Sequence, residues 1–285
     1  MSARTGAPFR GRPSTRRRLR ADIALGPVLL LGLALCFAVG PALWPKSPYA
    51  TTLLAIYHEP GTAFGQWHPF GTDQLGRDML ARLLLGGRIS VAIVLLSGVL
   101  AASVGSLLGT ISGYFGGLVD AAIMRLADIQ LAIPLILSIL LVIAILGPGM
   151  QNLVLVLGLS GWATYARAAR ARVLELRELD FLQAARAIGA SPGRILRVHL
   201  LPNLVPTQVV LMSLDLPRLV VAEASIGFLG MGIQPPEPTL GNLLADGQTA
   251  ILYAPWMIVF PGLAVCMLVI GFNMTGDWIA RRFGA

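Results

Sequence analysis

The chain has 285 residues, 55% of them hydrophobic and 13% charged, with a mean hydropathy of +0.74. A soluble domain carries about 25% charged residues, so composition excludes an ordinary soluble protein. The net charge of +8 does not mark a nucleic-acid binder, because the arginines gather beside apolar runs and no basic motif interleaved with aromatics occurs. Two cysteines and three scattered histidines provide neither a disulfide framework nor a metal motif. Cys36 and Cys266 lie within apolar runs and read as small hydrophobes.

Residues 1–21, with Arg4, Arg10, Arg12, Arg16, Arg17, Arg18 and Arg20, predict a disordered basic tail. A first membrane span follows at about Ile23–Trp44, with Trp44 as an interfacial anchor. No small-residue cleavage site follows it, so it reads as a retained anchor. The second span is Ile89–Ile111. Gly105, Gly109, Gly113 and Gly117 form a stripe at four-residue spacing, which lets two helix backbones approach, within the chain or between subunits. The third span is Ile129–Leu146, ended by Gly147-Pro148-Gly149, and the fourth is Leu153–Ala166, continuing as helix through Arg172.

A polar island separates the fourth and fifth spans. Within 180–203 the residues predict a short helix, a stop at Gly189 and a second short helix with Ser191 as N-cap and Pro192 at its first position. Leu201-Pro202 is expected to break that second helix. This compact elbow looks shaped for a partner outside the membrane. The fifth span is Leu204–Ile226, interrupted at Pro217, then a long loop and a sixth span, Pro255–Asn273. Residues 281–285 form a short tail. Residues 22–280 thus read as one all-α polytopic domain with six transmembrane helices. About seventeen basic residues fall on the side of the termini and elbow and about five on the other, which places both termini and the elbow in the cytoplasm.

Several polar residues stand out. Asp73, Arg77 and Asp78 crowd one exported loop. Asp73 and Arg77, four apart, would pair on a surface helix, and a docking contact for an external protein is the other reading. Asp120, Arg125 and Asp128 read as local charge pairs at the cytoplasmic edge. Asp215, Arg218 and Glu223 are costly in hydrocarbon and, with Ser213, mark the fifth span as a candidate pathway. Asp215 and Arg218, three apart, can pair with each other. His58, His68 and His199 read as loop or interface residues. No Walker glycine-lysine loop is present, and the one lysine is Lys46. No catalytic constellation converges, so the chain reads as a non-enzyme whose energy source is a partner.

The elbow resembles the cytoplasmic loop of ABC-importer permeases. Ala184, Ala185, Gly189, Leu201 and Pro202 fall in register with that family's Glu-Ala-Ala, Gly and Leu-Pro positions, while Gln183 and His199 replace its Glu and Ile. Further segments are similar to the C-type permease subunit of the dipeptide and oligopeptide (peptide/nickel) branch. They are His68–Asp78, Leu80–Ser90, Gly113–Asp120, Glu223–Pro236, Gly241–Gly247 and Asn273–Asp277, all in colinear order. Asp215 and Arg218 depart from the small apolar residues usual there.

The resemblance implies the six-helix permease fold, with Gln183, Ala184, Ala185, Gly189, Ala190, Leu201 and Pro202 in a coupling helix that sits in an ATPase groove. It also implies a heterodimer with a homologous B-type permease, in a bacterial inner or plasma membrane. Two cytoplasmic ATPase subunits would bind ATP and Mg, this chain holding no cofactor, and an extracytoplasmic substrate-binding protein would deliver dipeptides or oligopeptides. Nickel, haem or another small solute is the alternative cargo. A stand-alone secondary transporter is the alternative of a different class, and it lacks paired broken helices here.

Overall fold

The computed structural model describes residues 16–63 and 65–283. The expected basic tail falls largely on residues 1–15, which lie outside these, as do 284 and 285. Helix α1 spans Arg16–Leu43, so it begins inside the last residues read as tail. Leu25, Val28, Leu31, Leu35, Val39 and Leu43 stand exposed at three- and four-residue spacing, an apolar stripe suited to lipid. A loop with one 3₁₀ turn (Leu53–Ala55) leads to a hairpin of β1 (Gly61–Ala63) and β2 (Gln66–His68).

Helix α2 (Met79–Phe115) starts ten residues before the expected second span. Its start is set by Asp78, whose carboxylate accepts from the Ala81 N–H at 2.8 Å as an N-cap. Apolarity marks where a helix enters hydrocarbon, not where it begins. The glycine stripe faces α5 (Met150–Leu176). A Cβ at Gly105 would lie 2.5 Å from the Trp162 carbonyl oxygen, and one at Gly109 2.2 Å from that of Ala166. The stripe therefore serves packing within the chain. Gly117 is not part of it: it opens α3 at φ +54° with open space around it.

The expected continuous third span is broken. Helices α3 (Gly117–Ala132) and α4 (Leu135–Leu146) meet at a 95° bend. Pro134 cannot continue the ladder and drives Ile133 to extended backbone, φ −93° and ψ 130°. The elbow follows as α6 (Asp180–Ala187) and α7 (Pro192–Arg194), which passes through a π-helical segment, Ile195–Leu200, into α8 (Leu201–Phe228). Leu201-Pro202 therefore does not end a helix. Pro202 lies in the first turn of α8, where a missing N–H is tolerated after the wider π turn. Helix α8 also runs without interruption through Pro206 and Pro217.

The long loop after α8 contains a helix the sequence reading missed, α9 (Leu240–Thr249). Thr239 and Asn242 form its capping box: the Asn242 N–H donates to Thr239 Oγ1 at 3.2 Å, and the Thr239 N–H to Asn242 Oδ1 at 2.7 Å. Helix α10 (Trp256–Phe283) closes the chain.

The main apolar core lies between α2, α4, α5, α8 and α10, around Ile93, Ile139, Leu153, Leu157, Leu219 and Ile226. A second cluster, with Val173, Leu182, Ile195 and Leu204, ties the elbow to α5. Among the described residues, Leu25–Leu43, α2 and α10 are long and apolar enough to cross a membrane, and the bent pair α3–α4 makes a fourth. Helices α5 and α8 have the length, 27 and 28 residues, but carry charged side chains.

Candidate functional site

The elbow is built as its residue types require. The Ala190 N–H donates to the Ala185 carbonyl at 3.1 Å, and Gly189 has φ +81°. That is a Schellman stop, which needs a left-handed residue at the glycine position. Ser191 is extended and Pro192 opens the next turn, but the Ser191 side chain makes no cap bond. Its carbonyl instead accepts from the Arg194 and Ile195 N–H groups, each at 3.0 Å.

The elbow's two faces differ. Leu182 and Ala185 are buried toward the body, while Gln183, Ala184, Gly189 and Pro202 are exposed and Ala190 and Leu201 half-buried. Ala185 is thus small because it packs inward, whereas Ala184 faces out. Ile188, at the tip, is 85% exposed beside exposed Phe181 and Val198. A Cβ on Gly189 would meet nothing within 4 Å. From the body, Arg177 Nη1 donates to the Gly113 carbonyl at 3.3 Å, fastening the elbow's root to α2.

Two of the residues read as local pairs at the cytoplasmic edge, Asp120 and Asp128, instead pair across helices. Arg170 of α5 grips Asp120 of α3 through Nε at 2.5 Å and Nη2 at 2.6 Å, and Ser112 of α2 donates to the same carboxylate. Arg167 holds Asp128 at 2.5 Å. Helix α5, which carries the elbow, is thereby tied to α3 by two ion pairs.

Within α8 the four candidate pathway residues separate. Ser213 is buried, donates to the Val210 carbonyl at 2.7 Å and lies where Gly276 of α10 approaches closely. Glu223 is 1% exposed. Ser90 of α2 donates to its Oε1 at 3.1 Å, and the Leu240 N–H at the start of α9 donates to Ser90 Oγ at 3.1 Å. Glu223 thus joins three helices. Asp215 and Arg218 do pair, with Nε to Oδ1 at 2.6 Å and Nη2 to Oδ2 at 3.2 Å. Tyr165 of α5, unnoticed in the sequence, donates its hydroxyl to Asp215 Oδ2 at 3.2 Å. Gly161 makes room: a Cβ there would lie 3.6 Å from Arg218 Nη2.

Asp215→Ala should strand Arg218 and lower assembly or uptake, while Asp215→Ala with Arg218→Ala should hurt less, because an unpaired charge in the membrane is the costly state. Uptake normalised to permease level checks this, and additive losses in the double variant would rule out the pairing.

In the loop before α2, Asp73, Arg77 and Asp78 are buried, not spread on a surface helix. Asp73 accepts from Arg77 Nε at 2.7 Å, from Arg82 Nη1, and from the Leu75 and Arg77 N–H groups at 2.9 Å each. The pairing of Asp73 with Arg77 is made by a tight loop. Arg82 also reaches Asp246 of α9 at 3.3 Å. Asp78 caps α2 and gathers Trp44 Nε1 at 3.1 Å and His68 Nδ1 at 2.8 Å. These contacts bind the ends of α1, α2 and α9 and the hairpin into one cap. Tyr49 donates to Glu237 at 2.9 Å; burial, and then that carboxylate, raise its phenol pKa. The neighbouring Tyr253 hydroxyl, then burial, push Tyr57 up to about 12. Both phenols stay neutral near pH 7. Among the described residues no group of three or more His, Cys, Asp or Glu side chains is arranged to hold a metal.

Such an arrangement suits a scaffold more than a catalyst: a capped bundle, an outward elbow and a charged pair on α8. Comparisons with known proteins agree. The family model described as "Binding-protein-dependent transport system inner membrane component" matches residues 105–285. The dipeptide transport system permease protein DppC of Alkalihalophilus pseudofirmus is 35% identical over 266 residues, 93% of this chain and 86% of its own. The oligopeptide transport system permease protein OppC of Bacillus subtilis is 33% identical, covering 91% and 85%. The glutathione transport system permease protein GsiD of Pectobacterium atrosepticum is 35% identical, covering 92% and 86%. Among solved structures, a chain of the inward-facing MetNI methionine ABC transporter superposes with TM-score 0.56 at 24% identity, over 72% of this chain and 97% of that one, a likeness of fold. The chain belongs to the family of binding-protein-dependent transport system inner membrane components, the permease subunits of ABC importers.

Proposed function

We propose that this chain is one permease subunit of an ATP-driven importer of dipeptides or oligopeptides. It pairs with a homologous B-type permease in a bacterial inner membrane. Two cytoplasmic ATPase subunits bind ATP and Mg and drive the pair, and an extracytoplasmic binding protein delivers the cargo. The peptide cargo rests on what the relatives are named for. The chain crosses six times, as α1, α2, the bent pair α3–α4, α5, α8 and α10, within residues 22–280. Both termini and the elbow of residues 180–203 then face the cytoplasm. Asp73, Arg77 and Asp78 serve a binding protein by holding the cap's shape, since their side chains are spent inside it.

The observation that carries the reading is the elbow's asymmetry. Its inner face is pinned to α5 by Leu182, Ile195 and Leu200, and its outer face presents Ile188, Ala184 and a bare Gly189. A groove on an ATPase would cover that face. Closure of the ATPase dimer then moves the elbow, and α5 and α8, rooted on either side of it, transmit the movement to the membrane bundle as alternating access.

Two measurements test the proposal. Ile188→Cys, with Cys36 and Cys266 replaced by Ser, should be labelled by a membrane-impermeant maleimide in inside-out vesicles stripped of the ATPase with urea and not in intact cells; labelling from outside would overturn the orientation. Uptake of radiolabelled dialanine should vanish when this gene is deleted and return with the wild-type chain; undiminished uptake in the deletion strain would overturn the peptide cargo.

A further inference from the structure

The Asp215–Arg218 pair sits in an odd place for a structural ion pair. In the apolar span Leu204–Ile226 read for α8, Arg218 stands eight residues before the end, about 12 Å at the helical rise. That depth is within the hydrocarbon zone rather than at headgroup level. Yet the Arg218 side chain is 44% exposed and that of Asp215 19%. A guanidinium left open to hydrocarbon is expensive, so such side chains face a cavity, a wet path or one another.

Arg218 has such a cavity beside it. A cleft of about 360 Å³ between α4, α8 and α10 is lined by Arg218 with Leu135, Ile136, Val221, Ser225 and Val269. Its walls are otherwise apolar or small. Asp215 occupies only one edge of the guanidinium, the Nε and Nη2 edge. Nη1 makes no hydrogen bond to Asp215, and with the remaining N–H of Nη2 it forms the second edge by which an arginine grips a carboxylate.

We infer that Arg218 is a subsite for the carboxylate of the cargo on its way through the membrane, with Asp215 as its positioning residue. This rests on the permease reading above and adds the chemical class the path accepts: a solute with a free carboxylate. Asp215, itself held by Tyr165, fixes the guanidinium's plane and neutralises most of its charge. The residual attraction is then weak, which suits a path. A transit site must be favourable enough to enter and weak enough to leave. A fully unpaired arginine would hold an anion too long, and a fully covered pair would not meet it.

The test uses the complete transporter in proteoliposomes. In a chain with Cys36→Ser and Cys266→Ser, Val221→Cys places a thiol in the same cleft. It should react with both anionic and cationic methanethiosulfonates. Adding Arg218→Ala should lower the anionic-to-cationic rate ratio about fivefold, as expected for loss of a partly screened charge nearby. A thiol inert to both reagents, or an unchanged ratio, overturns the inference. Repeating both chains in phosphatidylglycerol and in phosphatidylcholine separates cargo from lipid. Surface potential shifts the ratio in both chains alike, so an Arg218→Ala effect seen in phosphatidylcholine but lost in phosphatidylglycerol means that headgroup phosphates occupy Arg218 and also overturns it.

A second arm swaps the charges, Asp215→Arg with Arg218→Asp. The swap keeps a pair but turns the donor away from the cleft. Dialanine uptake should fall about tenfold or more, while recovery of the ATPase with the permease stays normal. Restored uptake in the swap, or loss of ATPase recovery, shows a purely structural pair. The thiol arm needs no cargo. A wild-type transporter that ignores dialanine would therefore remove the peptide reading and leave the thiol ratio to decide the subsite.

Discussion

Gly189→Asp is expected to abolish uptake while leaving the chain inserted in the membrane. The position has φ +81°, the left-handed conformation that closes the Schellman stop after α6. An L-residue there costs roughly 1 kcal/mol in backbone strain. That alone does not unfold a helix bundle of this size, and a Cβ at this site meets nothing within 4 Å in the chain itself. The large effect comes from outside. The open space is where an ATPase groove would close on the elbow, and a carboxylate there would be buried without a partner, at a cost of several kcal/mol. ATPase recovery with the permease, or transport-coupled hydrolysis, should therefore fall together with uptake, at matched permease level. Gly189→Ala separates the two costs: it carries the strain without the charge and should keep a measurable share of transport. Full uptake and normal ATPase recovery in Gly189→Asp would reduce the elbow to a plain cytoplasmic loop.

Asp73→Ala should be the most damaging single change in the cap. The carboxylate is fully buried and holds Arg77, Arg82 and two backbone N–H groups. Its loss leaves two buried guanidiniums short of their counter-ion, with Arg82 keeping only Asp246 at 3.3 Å. Breaking a buried pair from one side costs about 3–5 kcal/mol. The cap should loosen while the membrane helices stay inserted. Added protease should then cut the 45–78 segment in spheroplasts at a rate at least about tenfold above wild type. Asp73→Asn retains an acceptor for the Leu75 and Arg77 N–H groups and should fall between. A cap as resistant in Asp73→Ala as in wild type would show that this cluster adds nothing to its stability.

Much of this protein follows from local sequence alone. The membrane class comes from composition, because a chain so poor in charge cannot solvate its own surface in water. The elbow was legible because Gly189 tolerates the left-handed stop that other residues avoid and Ser191 and Pro192 favour a helix start, and those effects act within a few residues. The close approach at Gly105 and Gly109 was legible as a stripe. That α5 fills it was decided by tertiary packing, since a glycine row shows only that something comes near.

Other features depended on the competition between local rules and the whole bundle. The prolines ended the other way round: sequence predicts breaks at Pro202 and Pro217 and a continuous span through Pro134. Pro134 bends the chain by 95°, whereas Pro202 follows a π turn and Pro217 lies inside an unbroken helix. Neighbouring helices decide whether a freed carbonyl is tolerated, and that information is not in the proline itself. The Asp73 cluster shows the same limit. Charge spacing suggested a surface helix for Asp73 and Arg77, but Arg82 and Asp246, the latter 173 positions on from Asp73 in the chain, make it a buried knot. In α8, sequence marked Ser213, Asp215, Arg218 and Glu223 as one polar series. Only the fold sorted them, turning Ser213 toward α10, Glu223 toward α2 and α9, and leaving the guanidinium of Arg218 open to a cleft. A helix spreads its side chains over every direction at 100° per residue, so what each one meets is determined by which helices arrive beside it.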